Sequence, residues 1–101
     1  MVSRQGNAIT MNIAYFYFMK NEPDRIPRVA PLHHQYWTQR KLKRYVGGPF
    51  ADLSGGLITF EADGFEPARR VIEQDPFKLE EVLDKYWIKE WAASGKQDEP
   101  R

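Results

Sequence analysis

The segment Ile9–Lys20 constrains the fold most, because both of its faces are apolar when it is read as a β-strand. One face would carry Met11, Ile13, Tyr15, Tyr17 and Met19, and the other Ala14, Phe16 and Phe18 beside Asn12. Helices can cover one face of a small sheet, but the second face then needs a different cover. A second copy of the chain is the simplest cover, so the sequence predicts a homodimer.

The rest of the chain follows the order typical of a split βαβ unit. After β-strand Ile9–Lys20 we predict a helix over Val29–Tyr45, with Pro31 in its first turn. A strand or hairpin near residues 45–61 follows, with a short strand at Leu57–Ala62. The remaining elements are a helix over Phe65–Gln74, a helical turn over Phe77–Val82 and a last strand over Tyr86–Trp91. The expected fold is therefore α+β and ferredoxin-like, with two helices on one face of an antiparallel sheet.

One domain over residues 1–101 is expected, because the chain is short and no linker divides it. Its core would span about residues 9–92, between a loose leader at Met1–Ala8 and a polar tail at Ala93–Arg101.

Charge and composition exclude several classes of function. The 15 basic and 14 acidic side chains nearly balance, which argues against a nucleic-acid or membrane-surface partner. The chain has no cysteine, so disulfides, thiol nucleophiles and cysteine-ligated zinc are excluded. No secretory signal is visible, and we expect a cytoplasmic protein.

The candidate site consists of ionisable groups beside turns. His33 is the candidate general base or acid, because imidazole changes protonation near neutral pH. Asp75 is the candidate carboxylate that orients it. Asp52 is a second choice, and it is a candidate substrate-binding residue together with the neighbouring turn at Gly48-Pro49. Arg40, two helical turns after His33, would hold an anionic group of a substrate. A plainer interpretation stays open: His33 packs on the helix surface, and Asp75 before Pro76 only ends a helix.

Neither a metal nor a cofactor is expected. His33 and His34 are adjacent, so on a helix their side chains point about 100° apart and cannot chelate one ion together. The glycines at 47, 48, 55 and 56 match neither the Walker pattern nor G-x-G-x-x-G. Ser54 has no obvious base nearby in the sequence.

Five short motifs resemble the YCII-related domain family, which comprises small ferredoxin-like proteins that pair into a dimeric α+β barrel. They are Pro31-Leu32-His33-His34-Gln35-Tyr36, Gly48-Pro49-Phe50-Ala51-Asp52, Gly55-Gly56 before a strand, the helix around Glu66–Arg70 and Asp75-Pro76-Phe77. The resemblance spans roughly Ile13–Trp91. It implies a His–Asp active site made by His33 and Asp75, with His34 as a neighbour.

Two departures from the family pattern concern substrate binding more than the fold. A glycine that often closes the first helix is replaced here within Leu42–Arg44, and an arginine that commonly precedes the histidine is not matched. Few reactions are assigned in the family. Its relatives are linked with elimination or isomerisation of small, often aromatic-derived compounds.

Two functions of different classes follow. The first is a small lyase or isomerase that transfers a proton on a small organic acid or phenolic compound through His33 and Asp75. The second is a non-catalytic ligand-binding or accessory dimer, since the 14% of aromatic residues can line a pocket as well as a core. Catalysis requires the two side chains within about 3–4 Å of each other at an open cleft.

Overall fold

A computed structural model describes residues 10–92 of the chain. The elements are β1 (Met11–Met19), α1 (Ile26–Gln39), β2 (Lys43–Pro49), β3 (Gly55–Ala62), α2 (Phe65–Glu73), α3 (Pro76–Leu79) and β4 (Leu83–Glu90). The strands form one antiparallel sheet in the order β2-β3-β1-β4. This is the ferredoxin-like α+β arrangement, so the predicted fold class is confirmed. The predicted leader at Met1–Ala8, the first residue of the predicted core, Ile9, and the predicted tail at Ala93–Arg101 lie outside the described residues.

Helix α1 differs from its predicted bounds at both ends. It begins at Ile26, because Pro27 occupies the first turn, where a missing N–H breaks no helical hydrogen bond. Its predicted extension to Tyr45 is wrong. The chain leaves the helix at Arg40, turns through Lys41 with a φ of 53°, and pairs with β3 from Lys43 onward. Pairing with a distant strand thus overrides the helix propensity of the local sequence. No helix within residues 10–92 is long and apolar enough to cross a bilayer.

The hydrophobic core lies between the sheet and the helices. Strand β1 contributes Ile13, Tyr15 and Tyr17, as its alternation predicts. In α1 the buried stripe is Val29 and Trp37, eight residues apart, and His33 lies midway between them. Leu32 of the same helix is 53% exposed. Other buried core residues are Ile58, Phe60, Ala68, Ile72, Phe77 and Val82.

The opposite face of the sheet is apolar and half-exposed. Phe16 of β1 stacks on Trp87 of β4, with ring centroids 5.3 Å apart. Phe18 packs against Phe50 at 5.6 Å. Trp87 remains 39% exposed and Leu57 40%. The sequence therefore predicted the chemical character of this face, and the second copy that would cover it stays a prediction.

Gly55 permits the close approach of β3 and β1. A Cβ at this position would overlap the backbone carbonyl of Tyr17, which cannot move without disrupting the sheet. A Cβ on Gly48 would meet no atom within 4 Å, and neither glycine has a positive φ.

We predict that Gly55→Ala lowers the free energy of unfolding by about 2 kcal/mol or more, because the added methyl group overpacks the sheet. Chemical denaturation measures the loss. Gly48→Ala is the matched control and should change stability by less than about 0.5 kcal/mol. Equal stability of the two variants would contradict the packing shown by the structure.

Candidate functional site

The structure brings His33 and Asp75 together from positions 42 residues apart. His33 lies on α1 and points toward the sheet, and Asp75 precedes the first residue of α3. Their Nδ1 and Oδ1 atoms are 2.7 Å apart. This distance lies within the limit that proton transfer through the pair requires.

The Asp75 carboxylate is fully buried and accepts three hydrogen bonds. The Tyr15 hydroxyl donates to Oδ2 at 2.8 Å, and the Phe77 amide donates to Oδ1 at 2.9 Å. His33 supplies the third donor. The Asp-Pro-Phe sequence explains the local geometry, because Asp75 caps α3 and Pro76 occupies its first turn. A buried carboxylate is tolerated only with such partners, and this constellation supplies them.

The imidazole of His33 is held in one orientation. Its ring stacks on Phe77, with centroids 4.0 Å apart and planes 15° from parallel. Because Nδ1–H donates to an acceptor-only carboxylate, Nε2 of the neutral ring is the acceptor. The Tyr17 hydroxyl lies 3.3 Å from Nε2 and can donate to it. The side chain of His33 is 13% exposed, so the ring is enclosed but reachable from solvent.

A cavity of about 370 Å³ opens beside His33, between α1 and the edge of the sheet. Its lining includes the two histidines His33 and His34 and the two tyrosines Tyr17 and Tyr45. The rest is mainly apolar: Met19, Ile26, Ala30, Pro49, Leu53, Ile58 and Phe77, with Gly47, Gly48 and Gly55. A volume of this size suits one small ring compound.

Two glycines make room for the tyrosine hydroxyls at this cavity. A Cβ on Gly56, which pairs with Tyr17 across the sheet, would overlap the Tyr17 hydroxyl. A Cβ on Gly47 would lie 2.7 Å from the Tyr45 hydroxyl. One glycine of each pair, Gly47 and Gly56, therefore leaves the space that a tyrosine hydroxyl occupies.

Burial controls the ionisation of these tyrosines. Burial, and then the negative charge of Asp75, raise the pKa of Tyr15 and of Tyr17 far above the ordinary value. The same two causes raise the pKa of Tyr45. All three phenols are therefore hydrogen-bond donors at neutral pH.

The other predicted site residues divide into two groups. Gly48 and Pro49 line the cavity, as part of β2. Arg40 is exposed at the end of α1, and its guanidinium lies over the Tyr36 ring, 5.3 Å from the centroid, away from the cavity lining. Asp52 is exposed and accepts hydrogen bonds from the Ser54 hydroxyl and amide, which lower its pKa. The structure brings neither Arg40 nor Asp52 to His33.

Within residues 10–92 no group of three or more His, Asp or Glu side chains could hold a metal ion.

Sequence reasoning missed the three tyrosines of the site, Tyr15, Tyr17 and Tyr45. It assigned the aromatics of β1 to the core and interface. A usable signal was present, because a buried tyrosine hydroxyl almost always needs a hydrogen-bond partner. Two tyrosines on the inner face of one strand thus indicate polar groups facing them from the helices.

Comparison with solved structures supports the fold. The chain is similar to 5-chloro-2-hydroxyhydroquinone dehydrochlorinase (TftG) from Burkholderia phenoliruptrix AC1100, in complex with 2,5-dihydroxybenzoquinone. The TM-score is 0.74 at 17% identity, over 87% of this chain and 100% of that one. It is also similar to SnoaB, a cofactor-independent oxygenase from Streptomyces nogalater. Here the TM-score is 0.50 at 9% identity, over 87% of this chain and 98% of that one. No protein-family model and no curated protein sequence matches the chain.

We predict that Tyr15 and Tyr17 do not ionise while the protein stays folded. In the unfolded chain a tyrosine titrates at about pH 10. Because the folded pKa values are higher, the stability from these groups is complete below about pH 10 and is lost as the pH rises toward the folded values. Tyrosinate absorbance, followed with circular dichroism, should show these two of the five tyrosines ionising only as the fold is lost. Ionisation of all five in a protein that keeps its native circular dichroism would contradict this.

Proposed function

We propose that the protein is a small enzyme of the lyase or isomerase type that transfers a proton on a small phenolic compound. The observation that carries the proposal is the 2.7 Å hydrogen bond between His33 Nδ1 and the buried Asp75 carboxylate, at the wall of a ring-sized cavity. This bond fixes Nδ1 of His33, which supports Nε2 as the atom that exchanges a proton.

In the proposed reaction His33 Nε2 accepts a proton from the substrate, and the imidazolium that forms is stabilised by Asp75 through Nδ1–H. Returning that proton to another atom of the substrate gives an isomerisation, and departure of a leaving group gives an elimination. The Tyr17 hydroxyl lies 3.3 Å from Nε2, so in the proposed reaction it would turn to a substrate oxygen when Nε2 takes the substrate proton.

The substrate class rests on three supports. The cavity holds one ring, and its walls are mainly apolar. The structural neighbour TftG acts on a chlorinated hydroxyhydroquinone, which is a small phenolic ring. The resemblance to the YCII-related family assigns the same roles to His33 and Asp75. Of the two substrate classes expected from the sequence, the organic acid is less well supported, because Arg40 lies away from the cavity lining.

A second candidate is a binding domain without catalysis. The observation that favours it is the Tyr17 hydroxyl 3.3 Å from Nε2, which would already occupy the nitrogen that a general base needs. In that case His33 only shapes the cavity, and its removal changes ligand binding without removing any turnover.

We predict that His33→Ala lowers turnover of a hydroxylated, chlorinated hydroquinone by about 10²–10⁴-fold, as expected for loss of a general base. Product formation by absorbance under anaerobic conditions provides the measurement. Asp75→Asn should lower turnover as well, because a neutral amide does not stabilise the imidazolium. Gln35→Ala, an exposed position on the same helix, is the matched control for His33. The exposed Asp84→Asn serves the same purpose for Asp75.

Unchanged turnover in His33→Ala, with the fold intact by circular dichroism, would reject the proposed function. If His33→Ala instead weakens binding of the compound, and neither the wild type nor any variant turns it over, the binding domain is the better description.

We further propose that two copies of the chain pair through the outer face of the sheet, in the cytoplasm. The half-exposed stack of Phe16 on Trp87 supports the pairing, because a contiguous apolar sheet face is costly to leave in water. The absence of cysteine agrees with a reducing compartment.

We predict that Phe16→Glu converts a dimer into monomers, since a paired interface would bury the new charge without a partner. Light scattering at micromolar concentration should give twice the chain mass of 11.9 kDa for the wild type and the chain mass for the variant. Gln35→Glu adds the same charge on exposed helix surface and should stay dimeric. A monomeric wild type would overturn the pairing.

A further inference from the structure

The cavity beside His33 has a polar pattern that distinguishes ring hydroxyls from carboxylates. With Nδ1–H donated to Asp75, the neutral form of the His33 ring offers Nε2 as an acceptor, and the hydroxyls of Tyr17 and Tyr45 can donate. A ring hydroxyl both donates and accepts, so it can satisfy both kinds of group. A carboxylate only accepts, so it would face the lone pair of Nε2 without a proton between them.

The charges around the cavity also favour an uncharged ring over a carboxylate. Within residues 10–92 no lysine or arginine lines the cavity, and the buried Asp75 carboxylate lies directly behind His33. Burial, and then the negative charge of Asp75, raise the pKa of both Tyr17 and Tyr45, so the charge of Asp75 acts on groups at the cavity wall. A second anion placed there would be repelled and would lose its hydration without gaining a cation.

Tyr45 is positioned to contribute the second donor. Its ring lies parallel to that of Trp37, with an angle of 5° and centroids 6.3 Å apart. Its hydroxyl lies against Gly47, where only the missing Cβ leaves space. Among the described residues its hydroxyl has no hydrogen-bond partner, in contrast to the hydroxyls of Tyr15 and Tyr17.

We propose that this cavity selects uncharged, hydroxylated aromatic rings and rejects their carboxylate analogues, with the Tyr45 hydroxyl as a specificity-determining donor. The inference rests on the proposed function for its site and goes further in naming the charge of the ligand. His34 lies exposed at the rim, where water screens it, and gives no buried cation.

The test compares two ligands that differ in one group, methylhydroquinone and gentisate, the first with a methyl where the second has a carboxylate. Calorimetric titration is done without oxygen. We expect the wild type to bind methylhydroquinone at least about tenfold more tightly than gentisate. Tyr45→Phe should weaken binding of methylhydroquinone roughly fivefold, as for loss of one hydrogen bond.

As a second variant, Leu53→Lys is designed to strengthen the binding of gentisate. Leu53 lines the cavity and is 73% exposed, so a charged head there stays hydrated and the fold tolerates it. The variant should bind gentisate several-fold more tightly than the wild type does, and Leu53→Gln, of similar length but uncharged, should not.

Equal or tighter binding of gentisate by the wild type would overturn the proposal, as would failure to bind methylhydroquinone or a Tyr45→Phe variant with unchanged affinity. These are binding measurements, so they are separate from turnover. A wild type that prefers methylhydroquinone but turns over no hydroquinone would leave the selectivity standing and reject the proposed function.

Discussion

The rest of the structure depends on the buried carboxylate of Asp75. A fully buried charge is tolerated only if donors surround it, and here the donors come from three different elements: Tyr15 of β1, His33 of α1 and the Phe77 amide of α3. These three elements must therefore pack at the position and orientation that bring their donors to the Asp75 carboxylate. Loss of a partner would leave an uncompensated charge, which typically costs about 3–5 kcal/mol. The hydrophobic core supplies attraction between the layers, and Asp75 selects one arrangement of them.

The same network turns a structural carboxylate into a candidate for chemistry. Asp75 occupies Nδ1 of His33, and Phe77 covers one face of the ring, so Nε2 is the group left for the cavity side. Gly56 and Gly47 then leave room for the hydroxyls of Tyr17 and Tyr45 at the same cavity. The same hydrogen bonds thus stabilise the fold and position the side chains of the site. A variant at Asp75 must therefore be measured both for stability and for activity.

Sequence patterns predicted the features that depend on local periodicity. Strand β1, the order of the elements, the helical position of His33 and the turn position of Asp75 follow from alternation, spacing and proline chemistry. The end of α1 did not, because the pairing of Lys43–Pro49 with β3 is a non-local interaction that no helix propensity contains. Arg40 was expected to serve the same site as His33, but its guanidinium lies over the Tyr36 ring, away from the cavity lining. Whether His33 and Asp75 catalyse a reaction is still a prediction, since geometry shows only that they meet.

The register of β1 shows why its polar groups matter as much as its apolar ones. In an ordinary amphipathic strand, a slip by one residue exposes the hydrophobic face and is rejected on that ground. Both faces of β1 are apolar, so a slip that exchanged Tyr15 and Tyr17 for Phe16 and Phe18 would bury a similar hydrophobic area. Such a slip would, however, bring phenylalanine to Asp75 and leave its carboxylate one donor short. It would also move the tyrosine ring away from the space opposite Gly56. The hydrogen bond from Tyr15 to Asp75 therefore sets the register that hydrophobicity alone would leave undetermined, and with it the position of the candidate site.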